Sequence, residues 1–168
     1  MTAKKIAYLS LFTACALILH VVENALPPIF SFAPGVKLGL ANVVSLVALF
    51  LLGVPEAYVI LIIRCLLGSV FGGNVWSLVY ALPAGIVSLT AQTLLVKTVF
   101  PKISLTAISF CGALLHNATQ LLVASIIVKT NLITVLPLTL LASTVAGIFV
   151  GLTAYFTVRA LPSKFYIK

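Results

Sequence analysis

Between Ile6 and Val158 the chain runs through six apolar stretches, separated by short breaks rich in proline, glycine, asparagine or lysine. A helix needs about 20 residues to cross a bilayer. Six crossings would use roughly 120 residues, most of a chain of 168. Only 7% of the residues are charged and 62% are hydrophobic, whereas a soluble domain is about 25% charged. The expected fold is therefore all-α and integral to the membrane. It is a single domain over residues 1–168, with six transmembrane helices joined by short loops.

The breaks place the spans. The first is expected over Ile6–Leu26, with Pro27 and Pro28 opening a loop that runs to Pro34. The second covers Val36–Gly53, the third Ala57–Phe71 and the fourth Val75–Val96, with Pro83 expected to bend it. The fifth covers Ile103–Val128 and the sixth Ile133–Val158. Lys4 and Lys5 before an apolar run resemble a signal peptide. That run is too long for one and lacks a small-x-small cleavage site before Glu23, so it reads as the first span.

The net charge of +8 invites a nucleic-acid reading, which the spacing of the basic residues rejects. They are not clustered, and most flank apolar runs. With both termini inside, Lys4, Lys5, Lys97, Lys102, Arg159, Lys164 and Lys168 are cytoplasmic, and only Lys37 and Lys129 are outside. Seven against two is the asymmetry of the positive-inside rule. Cys15, Cys65 and Cys111 lie inside apolar runs without CxxC spacing and read as packing residues.

One charge does not sit at a span end. Arg64 lies near the middle of VPEAYVILIIRCLLGSVFGGN, residues 54–74. A charged side chain at that depth costs roughly 2.5–3.5 kcal/mol on insertion scales, so it faces a protein interior or a wet cavity and needs a partner. Either it is a fixed cation for an anionic ligand group, or it forms a structural ion pair, for which Glu23 is available. Both roles are compatible.

Other polar groups fall in the same half of the membrane. Glu23 and His20 share a face near the end of the first span, with His20 read as interfacial and Glu23 as a counter-charge or ligand contact. Lys37 in PGVKLGLAN is either a snorkelling lysine or a second cation, and Asn42 is either a helix–helix hydrogen bonder or a cavity group. His116, Asn117 and Gln120 form the densest polar cluster, and read as a cavity wall rather than a packing knot. Asn74 ends the third span. Trp76 and Tyr80 read as an interfacial belt.

Small-residue stripes mark the first, fourth, fifth and sixth spans, and such stripes let helices approach closely. Those of the last three read as internal packing: Ser77, Ala81, Ala84 and Ser88; Ser109, Ala113, His116, Gln120 and Ala124; Ser143, Gly147, Gly151 and Ala154. Ala3, Ala7, Ser10 and Ala14 run past the apolar segment toward the cytoplasmic surface, and are the best candidate for contact with another protein.

The chain has no aspartate, and its only carboxylates are Glu23 and Glu56. A polyprenyl diphosphate synthase holds magnesium and diphosphate with clustered aspartates, and none exist here. There is no GxxxxGK[ST] loop, no HExxH, no paired-carboxylate site and no Ser/His/Asp set. The expectation is a non-enzyme without metal or cofactor. An ion-coupled carrier is disfavoured, because no acidic residue sits near mid-bilayer, where proton relays lie.

PGVKLGLAN followed by an apolar run and LLG, then Arg64 with FGGN after it, then HNATQ in the fifth span, resembles the membrane family of heptaprenyl diphosphate synthase component I, also called the Gx transporter family. The resemblance covers nearly the whole chain. Thr119 stands where the family pattern has glycine, while His116, Asn117 and Gln120 match. The layout also resembles the substrate-binding S component of an energy-coupling factor (ECF) vitamin transporter. That resemblance implies a bundle in the bacterial cytoplasmic membrane that captures a micronutrient from outside. It implies a transmembrane coupling protein and two ATPases as partners, with Ala3-x-x-x-Ala7 and Ser10-x-x-x-Ala14 on the partner-facing side.

The expected function is binding of a small ligand in an outward-opening cavity lined by Glu23, Lys37, Asn42, Arg64, Asn74, His116, Asn117 and Gln120. Two cations with several amides suit a carboxylate- or phosphate-bearing ligand with an apolar body, such as an isoprenoid or quinone precursor. The alternative is a non-catalytic membrane subunit associated with a polyprenyl diphosphate synthase.

Overall fold

A computed structural model describes residues 3–25, 39–72, 75–129 and 132–161. They form six α-helices, α1 (Ala3–Ala25), α2 (Leu40–Leu51), α3 (Val54–Phe71), α4 (Val75–Thr98), α5 (Leu105–Val128) and α6 (Leu136–Ala160), with one 3-10 turn (Ile133–Val135) before α6. Among the described residues there is no strand. Five helices are long and apolar enough to cross a membrane, as expected of a multi-pass membrane protein.

The exception is α2. The sequence suggests a span over Val36–Gly53, but the helix has 12 residues, about 18 Å at 1.5 Å per residue. That is short of a hydrocarbon core of about 30 Å. Almost all of α2 is buried, from Val43 through Leu49 without a break. A helix apolar on every side lies inside protein. It packs on α1, α3, α4 and α6, while the long helices follow one another as α1, α3, α4, α5 and α6. The second apolar run is thus the inner post of the bundle.

The turn before α3 is also tighter than the sequence suggests. The helix begins at Val54 rather than Ala57, with Pro55 in its first positions and Glu56 in its first turn. Proline loses nothing there, since the first helical N–H groups have no partner within the helix, and a carboxylate there complements the helix dipole. At the start of α5, the Ser104 hydroxyl accepts from the Ala107 N–H at 3.1 Å, a side-chain cap for one of those N–H groups.

Small residues close α5 against α6. A Cβ on Gly147 would lie 2.8 Å from the Phe110 Cα, and one on Gly151 2.6 Å from the Thr106 Cα. Backbones meet at that seam, as the small-residue stripe predicts. The Ser88 hydroxyl of α4 donates to the Gly112 carbonyl of α5 at 2.8 Å, and Ala84 and Ser88 are buried, so that part of the α4 stripe is also internal. The α1 stripe differs: Ala3, Ala7, Ser10 and Ala14 are all exposed on the outside of the bundle.

Two contacts fix α1 against α3. Lys5 forms an ion pair with Glu56. Fifteen residues further along α1, the His20 ring lies over Gly68, where a Cβ would come within 2.5 Å of its Cδ2. The two helices therefore run in the same direction. One end of the bundle holds Lys4, Lys5, Glu56, Lys97, Lys102 and Arg159, and the other holds Glu23 and Lys129.

Candidate functional site

The buried face of α3 carries Glu56, Ala57, Ile60, Leu61, Arg64, Cys65, Gly68 and Ser69. Arg64 is thus on the inward stripe, and it is only 5% exposed. The cation points into the bundle, not at lipid. Its Nη2 donates to the Asn42 Oδ1 at 2.8 Å, which joins α3 to the first turn of α2. The Nε has no hydrogen-bond partner among the described residues. A guanidinium carries five N–H donors, and buried donors without acceptors are costly.

Glu23 completes the group from α1. Its Oε1 accepts from the Gly39 N–H at 2.5 Å, so a carboxylate sits at the N-terminal end of α2. That position suits an anion because the helix N–H groups converge there. Its negative charge also acts on Arg64. The cation is stabilised by a neutral amide and a nearby carboxylate.

Gly39 holds this arrangement. Its φ of 72° is left-handed, a region that costs residues with a Cβ about 1–2 kcal/mol. A Cβ would also lie 2.9 Å from the Asn42 Nδ2. Any side chain at position 39 would push the amide that receives Arg64.

His20, expected at the interface, packs against α3. Its ring occupies the notch above Gly68, one helical turn along α3 from Arg64. The usable signal was the i, i+4 pairing of Arg64 with a glycine, which leaves room for a ring from a neighbouring helix.

The cluster on α5 is divided. Asn117 is buried, and its Nδ2 donates to the Ser143 Oγ at 2.6 Å, while Ser143 donates to the Thr139 carbonyl at 2.6 Å. Asn117 therefore serves the α5–α6 seam. His116 and Gln120 are half-buried. Leu61 of α3 meets Gly85 of α4, and Ser88 of α4 meets Gly112 of α5. Counting along the helices from those contacts puts Arg64 at a depth between His116 and Gln120, with α3 and α5 each packed on α4. Lys37 and Asn74 lie outside the described residues. Gln92, a polar residue not expected at the site, is buried against Gly112.

The family model for heptaprenyl diphosphate synthase component I matches residues 12–157. The chain belongs to this family. No curated protein matches it. The match covers the Glu23, Gly39, Asn42 and Arg64 group and the whole of α2 to α5. In this component I chain the two carboxylates are at opposite ends of the bundle, Glu23 at the start of α2 and Glu56 with Lys5. Among the described residues no three His, Cys, Asp or Glu side chains are grouped to hold a metal ion. The geometry offers hydrogen-bond donors to an acceptor-rich ligand, and no pair of carboxylates for acid–base work.

Proposed function

We propose that this chain is a membrane-embedded binding subunit, the S component of an ECF-type importer, with its basic end in the cytoplasm. Its ligand is a small anionic amphiphile, such as an isoprenoid or quinone precursor. The observation that supports this reading best is the buried Arg64, whose one described hydrogen bond goes to a neutral amide and whose Nε has no acceptor among the described residues. A buried charge is weak evidence of a purely stabilising role, because burial costs it solvation that packing alone does not return. A guanidinium with donors to offer suits a carboxylate or phosphate. Glu23, Asn42 and Arg64 form the centre of the proposed site, and His116, Gln120, Lys37 and Asn74 extend it. Asn117 keeps the α5 wall in place.

The exposed Ala3, Ala7, Ser10 and Ala14 face is the proposed contact with the coupling protein. Beside it, between α1 and α3, runs an apolar groove of about 500 Å³ whose lining includes Leu9, Ser10, Ala14, Ile63 and Leu67. Small residues next to such a groove suit a transmembrane helix that inserts larger side chains.

The family description favours a second reading, a non-catalytic membrane subunit of a polyprenyl diphosphate synthase. Affinity purification of the tagged chain from its native membrane separates the two. A coupling protein with two ATPases supports the importer. A soluble, aspartate-rich prenyltransferase in their place overturns it in favour of the second reading.

A further inference from the structure

The chain contains two carboxylates, and one of them rests in the proposed site. The groups around it are mostly donors. Arg64 is buried and turns its guanidinium to the first turn of α2, where its Nη2 meets the Asn42 Oδ1. Its Nε has no acceptor among the described residues. The Asn42 Nδ2 lies beside Gly39, 2.9 Å from where a Cβ would stand. The Gly39 N–H is the next donor, and the Glu23 Oε1 takes it at 2.5 Å. The start of a helix with a cation beside it is a seat for an anion. Here the seat is filled by a side chain of the protein itself.

Glu23 has the charge and the oxygens that such a seat would take from a ligand. It is half-buried and two residues from the end of α1 at Ala25. Rotation about its own side-chain bonds therefore carries the carboxylate toward water, with no movement of the helix. With Glu23 in place, its charge offsets that of Arg64. An incoming carboxylate or phosphate would then meet a like charge in a poorly solvated site, where repulsion is strong. The seat accommodates one anion at a time.

We propose that Glu23 is a resident anion that occupies the ligand's place, and that the anionic group of the ligand displaces it from the Gly39 N–H and engages Arg64. Glu23 returns when the ligand leaves. The Gly39 N–H is paired in both states, so no buried donor is left bare there, while the Arg64 Nε gains its acceptor only from the ligand. This inference rests on the anion-binding reading above, and it makes Glu23 a competitor of the ligand instead of a contact for it.

Octyl phosphate, a short amphiphile with one phosphate, is the probe, and octanol is its uncharged counterpart. Because Glu23 and Glu56 are the only glutamates, glutamate labelled with carbon-13 at Cδ gives one side-chain NMR signal for each, and Glu23→Gln assigns them. With the full chain in lipid nanodiscs, octyl phosphate should move the Glu23 signal to the position of a water-exposed carboxylate. Glu56, paired with Lys5 at the other end of the bundle, should not respond, and octanol should move neither signal. Calorimetric titration should show Glu23→Gln binding octyl phosphate about tenfold more tightly than the unsubstituted chain. If Glu23→Gln does not fold, Glu56→Gln leaves the Glu23 signal alone, and its response decides. A Glu23 signal that stays in place while octyl phosphate saturates the chain, or unchanged or weaker binding by Glu23→Gln, overturns the displacement and leaves the anion site standing. No binding of octyl phosphate to either protein overturns the anion site, and the displacement with it.

Discussion

The Arg64 Nη2 donates to the Asn42 Oδ1 at 2.8 Å, and this bond ties the one charge inside the third span to the shortest helix of the bundle. It explains why α2 is retained as a buried post although it is too short to span. The helix brings an amide and the Gly39 N–H to the level of the arginine, and Glu23 reaches the same place from α1.

Replacing Arg64 by methionine keeps volume and removes charge. It leaves the Glu23 carboxylate without the cation beside it and the Asn42 Oδ1 without its donor, and loss of one partner of a buried charged group costs up to about 3–5 kcal/mol. Thermal unfolding in detergent should therefore fall to a lower midpoint with the chain still folded, while ligand binding is lost. Arg64→Ala should also lose ligand, with a lower midpoint from the cavity it leaves.

Gly39→Ala should lower the unfolding midpoint by the equivalent of about 1–2 kcal/mol for the left-handed backbone. It should also weaken ligand binding through displacement of Asn42. Gly72→Ala is the control: its φ of −79° is ordinary helix, and stability should hold within about 0.5 kcal/mol, as for other surface changes.

Asn117→Ala should reduce stability with little effect on ligand affinity. Hydrogen bonds between membrane helices average about 0.6 kcal/mol and reach about 1.7, and the loss of the Ser143 partnership falls in that range. Gln120→Ala should do the reverse. A thermal-shift series read beside a binding isotherm separates them.

Leucine scanning of the small stripes should divide them by role. Gly147→Leu and Gly151→Leu drive side chains into the α5 backbone and should cost about 1–3 kcal/mol or more, read as loss of monodisperse protein. Ala7→Leu and Ala14→Leu project from an exposed face. They should leave the isolated chain intact and abolish co-purification of the partner.

Much of this was visible in the residues. A charge inside an apolar run is conspicuous, so Arg64 stood out, and the polar breaks placed α1, α3, α4, α5 and α6 to within a few residues. The length of α2 was not visible, because an apolar run flanked by glycine and proline reads alike whether it spans lipid or sits inside protein. The Glu23–Gly39 bond was hidden because its donor is a backbone N–H, which no residue type announces. Asn117 was read with the cavity wall because an amide bonded to a neighbouring serine and an amide facing a ligand look the same in sequence. The α1 stripe was legible as small residues, and only its exposure separates it from the stripes buried between helices.

Native mass spectrometry of the chain released from nanodiscs tests the central claim most directly, comparing the unsubstituted protein with Arg64→Met. A small anionic molecule should accompany the unsubstituted protein and be missing from the variant, with both folded. The same mass retained at equal occupancy in Arg64→Met would contradict a site built around that guanidinium.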